Sequence, residues 1–287
     1  MAACTCGTVT VMRSTLPGAT SVQLVVTDLD GTLSDADERV HPRTLAALER
    51  LREDGVPVLV ATGRRARSAA RVLAAHDLRL PAVLLDGALG RDLPGGGTWH
   101  RVTFPPGPAR AALAACQSVG LGPAVLLDRA DDEIAVGADP ACHPGYLEDN
   151  RQWLRVADLA QVVETEPVLA FSLIGLADPG PLQAIAAALD GTASAPVSRE
   201  LIYGGWSLQV SPLGVNKWRG VVAFCARQGL DPSRVLAVGD GANDAELLAA
   251  AAVACAISGG HPSAVGLADH LLDPPDRGGW ADVLELL

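Results

Sequence analysis

The chain has 287 residues, 49% of them hydrophobic, and a formal net charge of −11. That is enough apolar material for one large domain or two modest ones, and no apolar run approaches the ~20 residues of a membrane span. The negative charge, with no lysine or arginine cluster, argues against nucleic acid as the main partner, because phosphate backbones need a cationic footprint.

Residues 1–21 lack the cationic and continuous apolar regions of a secretory leader. They read as a disordered tail, with Met12 as an alternative start to Met1. Cys4 and Cys6, one residue apart, do not have zinc-site spacing. Cys116, Cys142, Cys225 and Cys255 fall in apolar segments and read as reduced core thiols of a cytoplasmic protein.

The first predicted strand is Val22 to Thr27, an apolar, β-branched run that ends in Asp28-Leu29-Asp30-Gly31-Thr32. A helix follows from about Pro42 to Asp54, with proline in its first turn and Gly55 closing it. A second strand, Val56 to Ala61, ends in Thr62-Gly63-Arg64, and a helix runs on to about Ala75. A third strand, Pro81 to Leu85, is closed by Asp86-Gly87. This βαβαβ order predicts a parallel sheet with right-handed crossovers.

The pattern changes near Gly90. Strand-like runs follow at Ala124 to Leu127, Glu133 to Val136, Val168 to Ile174, Pro196 to Tyr203 and Trp206 to Val210. Helices are expected at Pro108 to Ser118 and Pro181 to Leu189. Strands and helices that do not alternate one for one predict an α+β unit over residues 90–203, its antiparallel sheet covered on one face. The first pattern then resumes with a helix from Asn216 to Gln228 and a strand from Arg234 to Val238 that ends in Gly239-Asp240-Gly241-Ala242-Asn243-Asp244. A helix to about Ala251, a strand from Val253 to Ile257 and a last helix over Gly279 to Leu287 complete the chain. The expected class is α/β: a parallel-sheet core over 22–89 and 204–287, interrupted by the 90–203 insert.

Residues i and i+2 of an extended backbone project to the same side, so Asp28 and Asp30 can share one cavity, one as nucleophile and the other as proton donor. Two close acids in apolar surroundings raise each other's pKa, a cost that a cation between them offsets. Hard divalent ions such as Mg²⁺ favour carboxylate oxygens. Alone, the stretch also reads as a lone metal site or a solvated turn. A calcium loop fails, because its sixth and twelfth positions are Leu33 and Arg39 instead of glycine and glutamate.

Ligands of open parallel sheets bind beyond the carboxyl ends of the strands. Asp28/Asp30, Thr62/Gly63 and Asp240/Asn243/Asp244 follow three such ends, and Lys217 opens a helix. Singly, a threonine there is a helix cap and a lysine is solvated. Together they supply what phosphoryl transfer needs: a nucleophile, a proton donor and positive charge over the equatorial oxygens. Asp28 serves as nucleophile and Asp30 as acid, then base. Mg²⁺ sits on Asp28, Asp30 and Asp240. Lys217 adds a point charge, and Thr62 with nearby backbone N–H groups adds donors at a helix N-terminus.

DLDGT at Asp28 to Thr32, TGR at Thr62 to Arg64, NK at Asn216-Lys217 and GDGAND at Gly239 to Asp244 resemble, in order and spacing, the haloacid dehalogenase-like superfamily. The insert resembles the C2-type cap of its Cof-like sugar phosphatases, as do SPLGVNK and the DGA at Asp86 to Ala88. The resemblance implies a Rossmann-like core, Mg²⁺ dependence and hydrolysis of phosphomonoesters. It makes Asp28 the nucleophile and Asp30 the acid/base. Thr62, Gly63, Lys217 and Asn243 become phosphate binders, and Asp240 a metal ligand alongside Asp28 and Asp30. Asp244 joins the metal site and supports the lysine. Asp86 stands where that branch often has asparagine, and Gly259-Gly260-His261 replaces a more usual Gly-Asn-Ala. Both departures bear on substrate identity.

The expected partner is a small phosphorylated substrate, a sugar phosphate. One alternative is a phosphomutase, whose cap needs a cationic clamp. Arg101, Arg110, Arg129, Arg151, Arg155 and Arg199 are the cations available, spread out in sequence. The other alternative, a non-enzymatic metabolite-binding protein, has no need of both Asp28 and Asp30. His143, Tyr146, Trp153, Glu200 and Trp206 are the polar and aromatic candidates on the insert, and oligomeric state is not legible.

Overall fold

The computed structural model describes residues 22–129, 131–200 and 202–287. The tail expected over residues 1–21, with Cys4, Cys6 and Met12, lies outside them. The chain first lays down β1 (Leu24–Thr27), α1 (Pro42–Glu53), β2 (Val58–Ala61), α2 (Ala66–Ala74) and β3 (Pro81–Leu84), then β4 (Leu89–Asp92) and β5 (Thr98–Arg101). After a long excursion it returns with α7 (Lys217–Gln228), β13 (Val235–Gly239), α8 (Ala245–Ala250), β14 (Val253–Ile257), α9 (Pro262–Val265) and β15 (His270–Leu272). These strands form one eight-stranded sheet in the order β15-β14-β13-β1-β2-β3-β4-β5. It is parallel from β15 to β3 and antiparallel at β4 and β5.

The apolar runs explain this layering. β1, β2 and β13 are buried along their whole length, as parallel strands covered on both faces must be. Val25, Val60 and Leu236 face α1 and α2 with the closing Gly279–Leu286 segment. Leu24, Val26, Leu59 and Ala237 face α7 and α8. Each fully buried aliphatic side chain contributes roughly 1.5–3 kcal/mol.

The excursion builds a second sheet. Its elements are α3 (Pro106–Ser118), β6 (Ala124–Leu127), β7 (Ile134–Val136), α4 (Pro144–Asp149), β8 (Leu154–Val156) and α5 (Leu159–Thr165). Then come β9 (Val168–Leu176), α6 (Gly180–Ala188), β10 (Ala193–Ser194), β11 (Val197–Arg199) and β12 (Trp206–Pro212). The order is β10-β12-β9-β6-β7-β8, with β11 also pairing β12. Pairing is antiparallel except between β7 and β8. One face, with Phe171, Leu173, Leu208 and Val210, packs under helices α3, α5 and α6. On the other face Leu126, Ile134 and Leu169 belong to the same apolar cluster as Leu85 and Leu89 of the core.

Both expected junctions move. The change of pattern near Gly90 marks a hairpin, β4–β5, that extends the core sheet to Arg101. β12, expected in the core half from residue 204, is an inner strand of the cap sheet. The alternation of a hairpin strand does not say which sheet it joins. Among the described residues, the strand expected over Pro196 to Tyr203 covers Val197–Arg199. No helix among the described residues is long and apolar enough to cross a membrane.

Candidate active site

Adjacent strands β13, β1, β2 and β3 bring their carboxyl ends side by side. Asp28 follows β1 directly. Its backbone N–H donates to Val238 O at 2.9 Å, its carbonyl accepts from Thr27 Oγ1 at 2.7 Å, and that hydroxyl accepts from Trp280 Nε1 at 2.9 Å. The backbone beneath the carboxylate is therefore tied on both sides.

Lys217 is the only lysine in the chain, and its side chain is fully buried. Its Nζ donates to Asp28 Oδ1 at 2.8 Å and to Asp244 Oδ1 at 2.7 Å. Asn216 caps α7 by accepting from Arg219 N, which fixes where that lysine starts. Gly87, at φ +113°, allows this approach, since a Cβ there would lie 2.1 Å from Asn216 O. Burial works against the ammonium, yet Asp244, Asp28 and Asp86 outweigh it and hold the lysine charged far above its ordinary range. Asp28 is pushed well above the usual carboxylate range, chiefly by burial and further by Asp244 and Asp240, with Lys217 opposing.

Asp240 follows β13. Thr32 Oγ1 donates to its Oδ1 at 2.8 Å, and burial raises its pKa. Gly31, at φ +73°, clears space for it: a Cβ there would stand 2.6 Å from Asp240 Oδ2. Asp244 accepts Lys217 on Oδ1, and Asp240 N and Gly241 N on Oδ2. Asp28, Asp240 and Asp244 present oxygens that all lie within 4.8 Å of one another. This all-oxygen donor set fits a hard divalent cation. Asp28 Oδ2 and Asp240 Oδ2 accept no hydrogen bond among the described residues, whereas both oxygens of Asp244 are engaged.

Asp30 is not part of that cluster, contrary to the expectation that its side chain joins Asp28 on the metal. Its carboxylate is forked by Arg64, with Nε to Oδ2 at 2.7 Å and Nη2 to Oδ1 at 2.5 Å. The same-side rule applies to extended backbone, but β1 stops at Thr27 and the chain turns at Gly31. Arg64, quoted in the TGR motif without a role, is the residue that this reading missed. It also donates to Glu38 at 2.8 Å and to Ser68 at 3.1 Å.

Thr62 is buried at the end of β2, its hydroxyl accepting from Arg64 N at 3.1 Å. Gly63 lies against the Asp86 carboxylate. Asn243 donates to Asp86 Oδ1 at 2.8 Å instead of aiming at the Asp28 cluster. Asp86 also accepts on Oδ2 from Gln209 Nε2 of the cap at 3.1 Å. Gln209 had no signal in sequence beyond its place on a strand.

The cap candidates pack among themselves. His143 stacks on Tyr203 and accepts from Gly145 N, and Tyr146 meets Tyr203 edge-on. Burial pushes the Tyr146 hydroxyl up to about 12. Arg65 of the core lies over Tyr146 and pairs with Glu133 and Asn150, while Trp153 and Trp206 lie under Arg67 and Arg199. Glu200 accepts from Ser207 Oγ at 3.0 Å.

Comparison with known proteins agrees with the fold. The phosphoglycolate phosphatase of Methanopyrus kandleri is 27% identical over 92% of this chain and 96% of its own length. The 5-amino-6-(5-phospho-D-ribitylamino)uracil phosphatase of Bacillus subtilis is 25% identical over 93% and 97%. Among solved structures, a phosphatase-superfamily protein of Bacteroides thetaiotaomicron superposes with a TM-score of 0.76 at 20% identity. It covers 96% of this chain and 98% of that one. Residues 25–284 match the family model for haloacid dehalogenase-like hydrolases. With that match spanning both halves of the core and the insert between them, the chain belongs to the haloacid dehalogenase-like hydrolases.

Proposed function

We propose that the protein is a Mg²⁺-dependent phosphomonoester hydrolase acting on small phosphorylated metabolites, in particular sugar phosphates, through an aspartyl-phosphate intermediate. The observation that carries this reading is Asp28, buried at a strand end with one oxygen held by Lys217 and the other without a hydrogen-bond partner among the described residues. Asp28 and Asp240 would hold the cation, with Asp244 behind them holding Lys217. When bound, Mg²⁺ supplies charge that offsets the clustered carboxylates and the phosphoryl oxygens.

In the first step Asp28 Oδ2 attacks phosphorus, the ester P–O bond breaks, and Asp30 gives a proton to the departing alkoxide. In the second, water attacks the phosphoryl-aspartate and Asp30 takes its proton. The P–O bond to Asp28 breaks, which restores the enzyme and releases phosphate. Lys217 and the Thr62 hydroxyl are the donors suited to the phosphoryl oxygens.

The phosphomutase alternative needs cap cations for a second phosphate. Arg101 pairs with Asp128, Arg110 with Glu164, and Arg129 and Arg155 with Asp132 and Glu166. Arg151 pairs with Glu148, and Arg199 lies over Trp206. These engagements favour hydrolysis. Phosphate release from a panel of phosphorylated metabolites with Mg²⁺, against an EDTA control, tests the proposal. No metal-dependent release from any ester would refute it.

A further inference from the structure

Asp86 is the residue at this site that the hydrolytic mechanism leaves unused. It is held in the left-handed region, at φ +51°, where aspartate is one of the few side chains tolerated. Both of its oxygens accept from amide donors, Gln209 of the cap and Asn243 of the core, the pattern of a carboxylate. Burial raises its pKa and the charge of Lys217 opposes the rise.

Gln209 shows which cap surface covers the strand ends. Leu208 and Val210 point into the helix-covered core of the cap, so Ser207, Gln209 and Ser211 line the opposite face of β12. Ser172 of β9 lies directly across from Gln209 in the ladder. Ser207 in turn donates to Glu200. The surface next to Asp86 is thus built of serines, a glutamine and a second carboxylate. The cap's arginines are engaged elsewhere, and the nearby core cations are committed too. Arg64 is held by Asp30 and Glu38, Arg65 by Glu133, and Lys217 by Asp28 and Asp244.

We propose that Asp86 and Glu200 act as a charge filter on the leaving group: the site takes phosphomonoesters of uncharged, hydroxyl-bearing alcohols and rejects esters that carry a second anion. Serine and glutamine side chains both donate and accept hydrogen bonds, which suits hydroxyl groups. An anionic group placed beside Asp86 meets like charge, and Lys217, the cation whose charge acts on Asp86, is already paired with Asp28 and Asp244. The inference rests on the phosphatase reading above and narrows its substrate class.

A matched pair of esters tests it: 2-hydroxyethyl phosphate against 2-phosphoglycolate, equal in carbon number and differing by a hydroxymethyl group for a carboxylate. Phosphate release is measured with saturating Mg²⁺, and an aryl phosphate serves as a check of basal chemistry. The parent protein is expected to favour the hydroxyethyl ester in kcat/KM by about tenfold or more. Asp86→Asn is expected to narrow that preference severalfold by improving the anionic ester. Glu200→Gln, farther from the strand ends, narrows it in the same sense and keeps the test open if Asp86→Asn does not fold. Equal or faster turnover of phosphoglycolate by the parent overturns the filter, as does a preference unchanged in the folded variants. Failure to release phosphate from all three esters overturns the phosphatase reading itself, an outcome distinct from the others.

Discussion

Arg64 holds Asp30 by both carboxylate oxygens, and its remaining nitrogen reaches Glu38. A guanidinium fork of this kind fixes orientation as well as charge. The acid assigned to proton transfer is therefore held by a guanidinium and lies outside the Asp28–Asp240–Asp244 cluster, and Arg64, with a side chain only 10% exposed, is itself braced.

The two acids should separate by leaving group. Asp28→Asn removes the nucleophile and should abolish turnover of sugar and aryl phosphates alike. Asp30→Asn loses general acid/base help, worth roughly 10²–10⁴-fold, but less on an aryl phosphate, whose leaving group needs little protonation. Arg64→Lys keeps the charge without the fork and should show a weaker form of the Asp30 pattern. Near-parental aryl phosphate turnover by Asp28→Asn would rule out that nucleophile.

Mg²⁺ binding should distinguish the acids as well. At a concentration 100 times its Kd, a ligand stabilises the folded protein by about 2.7 kcal/mol, so Mg²⁺ should raise Tm. Asp240→Asn should lose most of that shift, while Asp30→Asn should keep most of it because its side chain lies outside the cluster. Ca²⁺, which takes more ligands at longer distances, should support little turnover. An equal loss of the Mg²⁺ shift in both variants would put Asp30 back on the metal.

Lys217→Met should be costly. Removing one partner of a buried ion pair typically costs about 3–5 kcal/mol, and here it leaves Asp28 and Asp244 without their cation. The penalty should shrink on acidification, as protonation removes the uncompensated charge. In the parent, the lysine's raised pKa adds stability that is fully present below the ordinary lysine value of about 10.4. That stability is lost as pH rises towards the higher folded value. Urea unfolding of parent and variant at pH 5 and 7.5 measures the first effect, and a parent series carried above the ordinary lysine value, to about pH 11.5, measures the second. A variant as stable as its parent at pH 7.5 would contradict the buried pairing.

Gly31→Ala tests the turn. Its left-handed φ costs an L-residue about 1–2 kcal/mol, and the added Cβ would overlap Asp240 Oδ2 at 2.6 Å. The variant should lose about that much stability and need more Mg²⁺ for half-maximal rate. An unchanged Mg²⁺ requirement would show that Asp240 does not depend on the turn.

Glu38 sets an acid limb. Burial opposes its ionisation, but hydrogen bonds from Arg71 and Arg64 prevail and lower its pKa. Its contribution is therefore present above the unfolded glutamate value, about 4.3, and disappears as pH falls through the lower folded value. Glu38 is half-buried and Arg71 exposed, and pairs near the surface contribute up to about 1 kcal/mol. Glu38→Gln should remove that amount at neutral pH and leave stability below pH 3 unchanged. Equal destabilisation at pH 7 and pH 3 would indicate lost packing in place of lost charge.

The alternating apolar runs determined the parallel core. Four-residue segments such as LVVT and VLVA, each followed by a helix, have few other ways to bury themselves. Strand-end residues were legible for the same reason, because the carboxyl ends of adjacent parallel strands converge, and Asp28, Asp240, Asp244 and Lys217 do meet. Tertiary structure alone decided what depends on contacts remote in sequence. The β4–β5 hairpin joins the core sheet and β12 joins the cap because of the edges they find, and period-two alternation carries no information about edges. Asp30 leaves Asp28 because the strand ends one residue before the motif begins. Asp86 acquires partners 123 and 157 residues away in the chain. Pairings at that separation follow from how the cap closes on the core, since a hydrogen bond depends on where two side chains come to rest, and local sequence does not encode that distance.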